Sequence, residues 1–505
     1  MFEELISGLR PSDTGPAIVA GRRPVTRGDL STLLSAYAGA LHARGLRSGD
    51  TVGLAVRPGP RSLAVMLAAY RNGLRVAVLD PSAGPDVLRA RLALAPPALI
   101  VADAAAQAVA GWAAPLARRA GLALPDLSAL APTVTVGRRL PGSAPALAPG
   151  GPPPPPFEGD GDAVVIFTSG TTASPRAVVH TRAGLAAGMR AVTALVRPLP
   201  GVPILGGTFF VLIPSLAAGA PVVLPSRRPR ALARQIARFA PQATYLTPPP
   251  LRAALDAGVP FTGRVYSGSA PVSAHLLRRL RAAGATEAWC VYALTELFPA
   301  AAAESDVKSA YDGPGDLVGD LLPGVRARLG DHPLPGSGAP PGHDPLPGSG
   351  AGLLPGGDGQ LWLGGDGACD RYLGSPPHEW VATGDVARLD GRRVVLAGRA
   401  KDMILRRAEN IYPGLYEPAL HVPGVALAFL VGIPAGDGDE RVAAVVELSP
   451  GADPATVRSA LREPLARMGG ARPDHVLFAT VPLAGRSRKP DRAAAAALAA
   501  TRFAA

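Results

Sequence analysis

Cysteine, aromatic residues and basic runs are all scarce in this chain of 505 residues. Its two cysteines, Cys290 and Cys369, form neither a metal-binding spacing nor a disulfide framework, which favours a reducing compartment. Aromatic residues make up only 5% of the chain, too few for a base-stacking surface, and the net charge of +12 is scattered along the sequence. We therefore expect no nucleic-acid partner.

One uncharged stretch is long enough to cross a bilayer, so a membrane span has to be considered. Residues 206–225 (GGTFFVLIPSLAAGAPVVLP) have the length of a membrane span. Their glycines and prolines, and their position in the middle of the chain, favour a buried helix followed by a strand. The first residues, MFEELISGLRPSD, lack the basic flank and apolar core of a signal peptide. We expect a cytoplasmic protein without a membrane span.

Lysine is nearly absent. Of the 51 basic residues, only Lys308, Lys401 and Lys489 are lysines, and the other 48 are arginines. A compact ammonium serves some purposes that a planar guanidinium does not. In a chain that otherwise uses arginine, the three lysines are therefore candidates for specific roles.

The order of apolar patterns predicts an α/β protein of several subdomains. Helix-like and strand-like segments alternate through the first hundred residues, which indicates a parallel sheet with helices on its faces. Residues 331–359 repeat DHPLPGSG as DPLPGSG and indicate a low-complexity insertion. From about residue 399 a separate set of strand and helix patterns begins. We predict a large domain of layered sheets flanked by helices at residues 1–398 and a small α+β domain at residues 399–505.

A loop of small polar residues follows the apolar run AVVIF. The run TSGTT comprises Thr168, Ser169, Gly170, Thr171 and Thr172. Backbone N–H groups and hydroxyls at the carboxyl end of a strand can form an anion-binding concavity, although such a loop can also be a simple turn. It is not a Walker loop, because no Gly-Lys-Ser/Thr sequence follows.

Five further motifs follow this loop in a fixed order and decide between these interpretations. They are YSGSAP (266–271), VYALTE (291–296), TGD (383–385) and GRAKDMILRRAENIYP (398–413), with PLAGRSRKPDR (482–492) near the end. Together with the loop they resemble the adenylate-forming superfamily, of the acyl-CoA synthetase and fatty acid ligase type, over nearly the whole chain. The resemblance implies ATP and Mg²⁺ as cofactors, a carboxylic acid as substrate, and coenzyme A or the phosphopantetheine of a carrier protein as acceptor. It also implies that the small domain is mobile.

The resemblance assigns roles to individual residues. The loop from Thr168 to Thr172, with Arg176, would hold the ATP phosphates. Other assigned nucleotide contacts are Gly268, Ser269, Ala270, Pro271, Tyr292 (stacked on adenine), Thr295 (phosphate), and Asp385 and Arg399 (ribose). Glu296 would bind Mg²⁺, which prefers carboxylate oxygen. Lys489 would be the catalytic cation between the acyl carboxylate and the α-phosphate, where negative charge builds up. Lys401 would mark the hinge before the small domain.

The sequence departs from the family pattern at two places. Ala173, Arg176 and Ala177 stand in the phosphate loop where the family usually has Gly, Lys and Gly. Arg407 and Ala408 replace two glycines at a turn that usually borders the tunnel for the pantetheine arm. The second departure favours adenylation over thioester formation with free coenzyme A.

The acyl pocket is expected around Phe209, Phe210, Val211 and Leu212. Amino-acid-activating relatives typically place an aspartate here, whereas residues 206–217 contain no acid. This favours an apolar fatty or polyketide-like acid; the alternative is that these four are ordinary core residues.

Two other functions stay open. LDPSAG (79–84) and TELFPAA (295–301) give a weaker likeness to the β-lactone synthetases of the same superfamily. The phosphate-loop substitutions also allow a non-catalytic descendant that binds nucleotide or acyl group without turnover.

Overall fold

Two large sheets and a smaller C-terminal part make up the fold. In this computed structural model, the described residues are 1–20, 24–79, 85–119, 126–148, 150–168, 176–330, 357–406, 409–436, 439–484 and 489–503. Most of the described strands and helices belong to the part before residue 399.

The first sheet has seven strands and carries the start of the polar loop. In spatial order they are Arg371–Tyr372, Arg176–Thr181, Asp162–Thr168, Arg75–Val78, Thr51–Ala55, Leu99–Asp103 and Thr133–Val136. The last five are parallel to one another, which confirms the parallel arrangement predicted from the alternating patterns. Leu99–Asp103 is buried at all five positions, as expected for a central strand covered on both faces.

The second sheet has thirteen strands. In spatial order they are Val325–Gly330, Gly359–Gly365, Val381–Asp390, Arg393–Arg399, Asp316–Leu321, Ala301–Glu304, Glu287–Tyr292, Arg264–Gly268, Ala243–Tyr245, Ile204–Leu205, Val222–Val223, Pro16–Val19 and Val25–Thr26. The strands from Glu287–Tyr292 to Pro16–Val19 run parallel, so their carboxyl ends lie along one edge of the sheet.

Helices cover and separate the two sheets. Their bounds are Phe2–Gly8, Arg27–Ala43, Pro60–Arg71, Pro85–Leu94, Ala104–Ala110, Ala114–Arg119, Arg182–Val196, Phe209–Ala217, Pro229–Phe239, Pro248–Asp256, Ala274–Ala282 and Ser305–Ala310. The helix Arg27–Ala43 begins at a capping box, in which Thr26 Oγ1 accepts from Asp29 N and Asp29 Oδ2 accepts from Thr26 N, both at 3.0 Å. One apolar core joins strand residues of both sheets, such as Val76 and Val222, through Leu185 and Leu212 on the helices between them.

The C-terminal part has its own sheet and cores. Its strands Val425–Gly436, Asp439–Leu448 and His475–Phe478 form one sheet, and the helices Pro454–Ala460, Arg462–Ala466 and Arg492–Phe503 pack beside it. Two short antiparallel pairs accompany them, Ile404–Arg406 with Glu409–Ile411 and Leu483–Ala484 with Lys489–Pro490. An α+β segment in this region agrees with the sequence prediction.

Two segments singled out in the sequence can now be placed. Residues 206–225 contain the helix Phe209–Ala217 and the strand Val222–Val223, the helix-then-strand arrangement expected there. Across the described ranges, no helix is both long enough and apolar enough to traverse a bilayer. Of the predicted insertion, residues 331–356 lie outside the described part, and Gly359 already begins a strand.

Candidate active site

The two ends of the polar loop are held together by strand pairing. Thr168 ends the strand Asp162–Thr168 and pairs in register with Arg176, which begins the strand Arg176–Thr181. Both residues are half-buried. The predicted phosphate contacts Ser169, Gly170, Thr171 and Thr172 lie outside the described residues, as do Arg407 and Ala408.

The strand that follows the loop contacts the motif that contains Glu296. The Arg176 guanidinium lies 5.7 Å from the centre of the Tyr372 ring, and Tyr372 Oη donates to Glu296 Oε1 at 3.2 Å. His180, which is fully buried, donates from Nε2 to the backbone carbonyl of Thr295 at 2.8 Å. These contacts position Thr295 and Glu296 beside the strand Arg176–Thr181, which follows the loop.

Glu296 is the residue to which the sequence analysis assigns Mg²⁺ binding. Burial raises its pKa, and the positive charges of Arg176 and Arg399 counteract part of that rise. Within the described residues no group of three or more His, Cys, Asp or Glu side chains could hold a metal by itself. A single carboxylate fits Mg²⁺, which keeps several waters and is otherwise bound by substrate phosphates.

Asp385 contacts both Tyr292, the predicted adenine contact, and Arg399, a predicted ribose contact. Tyr292 Oη donates to Asp385 Oδ2 at 2.5 Å, and Arg399 Nε lies 2.9 Å from Asp385 Oδ1. The Asp385 side chain is only 5% exposed, so burial raises its pKa, while Arg399 and the Tyr292 hydroxyl oppose that rise. The same pairing raises the pKa of Arg399. The structure therefore joins these three residues through one hydrogen bond and one ion pair.

The YSGSAP motif lies at the carboxyl edge of the large sheet. Gly268 ends the strand Arg264–Gly268, and a Cβ added there would lie 2.5 Å from the Val291 carbonyl oxygen, so a side chain does not fit. Ser269 follows with φ +65°, a conformation that costs free energy for a residue other than glycine. Its Oγ lies 3.0 Å from Tyr245 Oη. Ala270 is half-buried and Pro271 is exposed.

Lys489 faces this site from the C-terminal part. It begins the strand Lys489–Pro490, and its ammonium is close enough to Asp385, Glu296 and Arg399 to interact electrostatically with all three. The side chain keeps contact with solvent. Desolvation by surrounding atoms and repulsion from Arg399 nevertheless lower its pKa, against the attraction of the two carboxylates.

Lys401 lies between two ion pairs. Lys401 is exposed and belongs to the 3₁₀ helix Ala400–Asp402, which follows directly on the strand that ends at Arg399. Before it, Arg399 is bound to Asp385 of the large sheet. After it, Asp402 Oδ2 lies 3.1 Å from Arg492 Nε of the C-terminal helix. This bracketed position is consistent with the predicted hinge, which stays a prediction.

The expected acyl-pocket residues begin the helix Phe209–Ala217. Phe209 and Phe210 are half-buried, Val211 is 8% exposed, and Leu212 is fully buried in the core between the sheets. Phe210 contacts the rings of Tyr245 and Phe298. The sequence reasoning missed Tyr245, Phe298, Tyr372 and His180. Of these, His180 carried a signal as a polar residue inside the apolar run RAVVHT, and Phe298 lies in the TELFPAA segment quoted above.

Comparison with known proteins identifies the class to which this fold and site belong. Residues 10–373 match the family of AMP-binding enzymes. Because the match covers more than half of the chain, the chain belongs to this family of adenylate-forming ligases, as the five motifs indicated.

Individual relatives differ in the product that they make. The olefin β-lactone synthetase of Stenotrophomonas maltophilia is 27% identical over 481 residues, which cover 85% of this chain and 82% of that protein. The sulfoacetate–CoA ligase of Cupriavidus necator is 28% identical over 468 residues, 87% and 84% of the two chains. Among solved structures, the amide bond synthetase McbA of Marinactinospora thermotolerans superposes with a TM-score of 0.79 at 24% identity and covers 98% of both chains. The last likeness shows the fold.

Proposed function

We propose that this enzyme activates an apolar carboxylic acid with MgATP to an acyl-adenylate and then transfers the acyl group to a thiol. In the first step an oxygen of the acid carboxylate forms a bond to the α-phosphorus of ATP. The bond between that phosphorus and the bridging oxygen of the β-phosphate breaks, and pyrophosphate leaves with the electron pair. No proton needs to move, because the acid reacts as its carboxylate.

The convergence of Lys489, Glu296 and the Asp385–Arg399 pair carries this proposal. These residues come from sequence segments far apart, yet their charges interact in one place. An ammonium in this position suits a reaction in which two anions must approach and charge builds up on phosphoryl oxygens.

Each group has a proposed task. Lys489 holds the acid carboxylate against the α-phosphate, and Asp385 accepts hydrogen bonds from the ribose hydroxyls with Arg399 beside it. Glu296 is the candidate Mg²⁺ ligand; the ion would neutralise phosphate charge, a general property of metal ions in phosphoryl transfer. Tyr292 and the segment Gly268, Ser269, Ala270 and Pro271 border the nucleotide, and Arg176 and Thr168 border its phosphates.

The acceptor would react in a second step. The sulfur of coenzyme A or of a carrier-protein phosphopantetheine would attack the acyl carbonyl, the thiol proton would pass to solvent, and AMP would leave with the electrons of the acyl–oxygen bond. Rotation of the small domain about Lys401 would exchange Lys489 for the acceptor. A second candidate is closure of a β-lactone by the β-hydroxyl of the adenylated acid. It is favoured by the similarity to the olefin β-lactone synthetase over most of both chains.

The test is acid-dependent release of pyrophosphate from MgATP. A panel of aliphatic, β-hydroxy, aryl and amino acids is assayed with and without coenzyme A, with Lys489→Ala as the control. We expect release with an apolar acid, loss of release in Lys489→Ala, and a thioester when a thiol is present. Release that ignores all thiols and yields a lactone from a β-hydroxy acid would support the second candidate. Nucleotide binding without release from any acid would indicate a non-catalytic member of the family.

A further inference from the structure

Tyr372 contacts two groups of the candidate active site with different parts of its side chain. Its hydroxyl donates to Glu296 Oε1 at 3.2 Å, and the Arg176 guanidinium lies 5.7 Å from the centre of its ring. Glu296 is the candidate Mg²⁺ ligand, and Arg176 is assigned to the ATP phosphates. One tyrosine therefore contacts both a proposed metal ligand and a proposed phosphate contact.

The backbone around Tyr372 is tied to the same two segments. Tyr372 pairs in register with Val178 of the strand Arg176–Thr181. Three residues before Tyr372, the Cys369 N–H donates to the backbone carbonyl of Glu296 at 2.6 Å. This short segment therefore holds Glu296 both at its backbone and at its side chain.

The Tyr372 side chain has little freedom to turn away from these partners. It is 9% exposed, and the His378 ring is stacked against it with centroids 5.5 Å apart and planes at 26°. His378 is itself held close, with Nε2 3.4 Å from Cys369 Sγ. Burial and the charge of Glu296 raise the pKa of Tyr372, so the hydroxyl keeps the proton that it donates to the carboxylate.

We propose that Tyr372 is a positioning residue, which orients the Glu296 carboxylate for the magnesium ion and the Arg176 guanidinium for the ATP phosphates. The inference rests on the proposed function, in which MgATP is bound, and adds Tyr372 to it. A group that hydrogen-bonds a metal ligand fixes the direction of that ligand, and its removal typically lowers metal affinity about tenfold to a hundredfold. The ring acts on Arg176 because a planar guanidinium stacks on an aromatic face.

The test separates the hydroxyl from the ring by substitutions in the full-length chain. Tyr372→Phe removes only the hydroxyl, whereas Tyr372→Leu and Tyr372→Met remove the ring as well; each is checked for a wild-type thermal unfolding curve. The ligand is α,β-methylene-ATP, in which the bond broken during adenylation cannot be cleaved. Its dissociation constant is measured calorimetrically with excess Mg²⁺ and with EDTA, and the ratio of the two values is the magnesium-dependent gain. With Mn²⁺ in place of Mg²⁺, electron paramagnetic resonance reports the surroundings of the bound ion.

We expect Tyr372→Phe to reduce the magnesium-dependent gain about tenfold and to keep the wild-type affinity in EDTA. The spectrum of bound Mn²⁺ should change in the same variant. Tyr372→Leu and Tyr372→Met should show this loss and also bind the nucleotide about twofold to fivefold more weakly in EDTA, because Arg176 is no longer held by the ring. Tyr311→Phe is the control, since the Tyr311 hydroxyl donates to the Pro314 carbonyl at 2.8 Å, and it should match the wild type in both conditions.

Glu296→Gln shows whether the hydroxyl acts through the carboxylate. In that background Tyr372→Phe should have no further effect on the magnesium-dependent gain, because two residues that act as one unit are not additive. An additive loss would overturn the positioning role. So would a wild-type gain in Tyr372→Phe, or an equal loss of affinity with Mg²⁺ and with EDTA, which indicates a merely structural role. Equal affinities of all three Tyr372 variants in EDTA would overturn the part that concerns Arg176.

Failure of this inference is distinguishable from failure of the proposed function, because the binding measurements need no acid, no thiol and no turnover. A magnesium-dependent gain that Tyr372→Phe reduces, without pyrophosphate release from any acid, would contradict the activation reaction and leave the positioning role standing. Acid-dependent pyrophosphate release together with a wild-type gain in Tyr372→Phe would overturn the positioning role and leave the activation reaction standing.

Discussion

Asp385 and Arg399 face each other on adjacent antiparallel strands, with Arg399 Nε 2.9 Å from Asp385 Oδ1. The carboxylate is almost fully buried, whereas about half of the arginine side chain is exposed. A buried carboxylate needs such a partner, because an unpaired buried charge is strongly unfavourable. Its other oxygen is bound by Tyr292, so a ribose hydroxyl would join an existing hydrogen-bonded unit.

Replacement of Asp385 by asparagine should weaken ATP binding. The amide retains the shape but loses the charge and one acceptor oxygen, and hydrogen bonds to charged groups contribute about 1.5–3 kcal/mol each. We expect the KM for ATP to rise by about tenfold to a hundredfold, measured by pyrophosphate release. Asp320→Asn is the control, since Asp320 forms a longer, exposed pair with Arg393 of the same strand as Arg399. An unchanged KM for ATP in Asp385→Asn would exclude a ribose contact.

Glu296 should set the acid limit of activity. Its pKa is raised by burial, and only the ionised carboxylate binds a magnesium ion. Activity should therefore fall as the pH drops through this raised pKa, and excess Mg²⁺ should move the limit to lower pH. The measurement is a pH profile of pyrophosphate release at low and high Mg²⁺. A limit that does not respond to Mg²⁺ would contradict a metal-binding role.

Ionised Glu296 should lower the free energy of unfolding at neutral pH. The folded state binds the Glu296 proton more tightly than the unfolded chain does, so this group stabilises the fold at low pH and loses that contribution as the pH rises through the folded pKa. Glu296→Gln should therefore raise the Tm at pH 8 and leave it nearly unchanged at pH 4, while activity is lost. Thermal unfolding at both pH values checks this. A lower Tm of Glu296→Gln than of the wild type at pH 8 would show that neighbouring groups stabilise the ionised carboxylate.

Lys489 should set the alkaline limit. Its pKa is lowered by desolvation and by Arg399, and only the ammonium form can hold two anions together. Pyrophosphate release should therefore decline as the pH rises, beginning below the ordinary range of lysine. Lys489→Ala should reduce the rate by at least about a hundredfold, as loss of a transition-state donor does, and Lys489→Arg should retain part of it with the alkaline limit removed. A Lys489→Arg variant with the wild-type limit would assign that limit to another group.

The sequence predicted the family and the parallel sheet, but it did not predict the contacts of Phe210 with Tyr245 and Phe298. Motifs that can be read from the order of residues alone contain Tyr292, Glu296, Asp385 and Lys489, so the sequence was enough to make them candidates. Tyr245 occurs in an apolar segment that looks like core, and Phe298 lies in the quoted TELFPAA segment. The contact of each with Phe210 depends on how a helix is placed between two sheets. A one-dimensional pattern does not encode that placement. The roles of the motif residues stay predictions until the variants above are measured.

Arg492 should be important for the stability of the C-terminal part. Its Nη1 and Nη2 each lie 2.7 Å from an oxygen of Glu417, its Nε lies 3.1 Å from Asp402, and Nη1 also donates to the Leu430 carbonyl at 2.9 Å. The Glu417 side chain is 10% exposed, so removal of the guanidinium leaves a nearly buried carboxylate without its cation. Breaking a buried pair in this way typically costs about 3–5 kcal/mol.

Arg492→Ala should accordingly lower the free energy of unfolding by about 3 kcal/mol. Hydration of Asp402, which also loses its ion-pair partner, offsets part of this loss. Denaturant unfolding is the measurement. Arg467→Ala is the control, because Arg467 and Glu463 form an exposed pair in the same region, and such pairs contribute about 0–1 kcal/mol. The double variant Arg492→Met with Glu417→Leu removes both charges together and should recover much of the loss. If the single and double variants were equally destabilised, the cost would lie in lost packing against Phe429, which the Arg492 guanidinium covers at 4.9 Å, and not in the uncompensated charge.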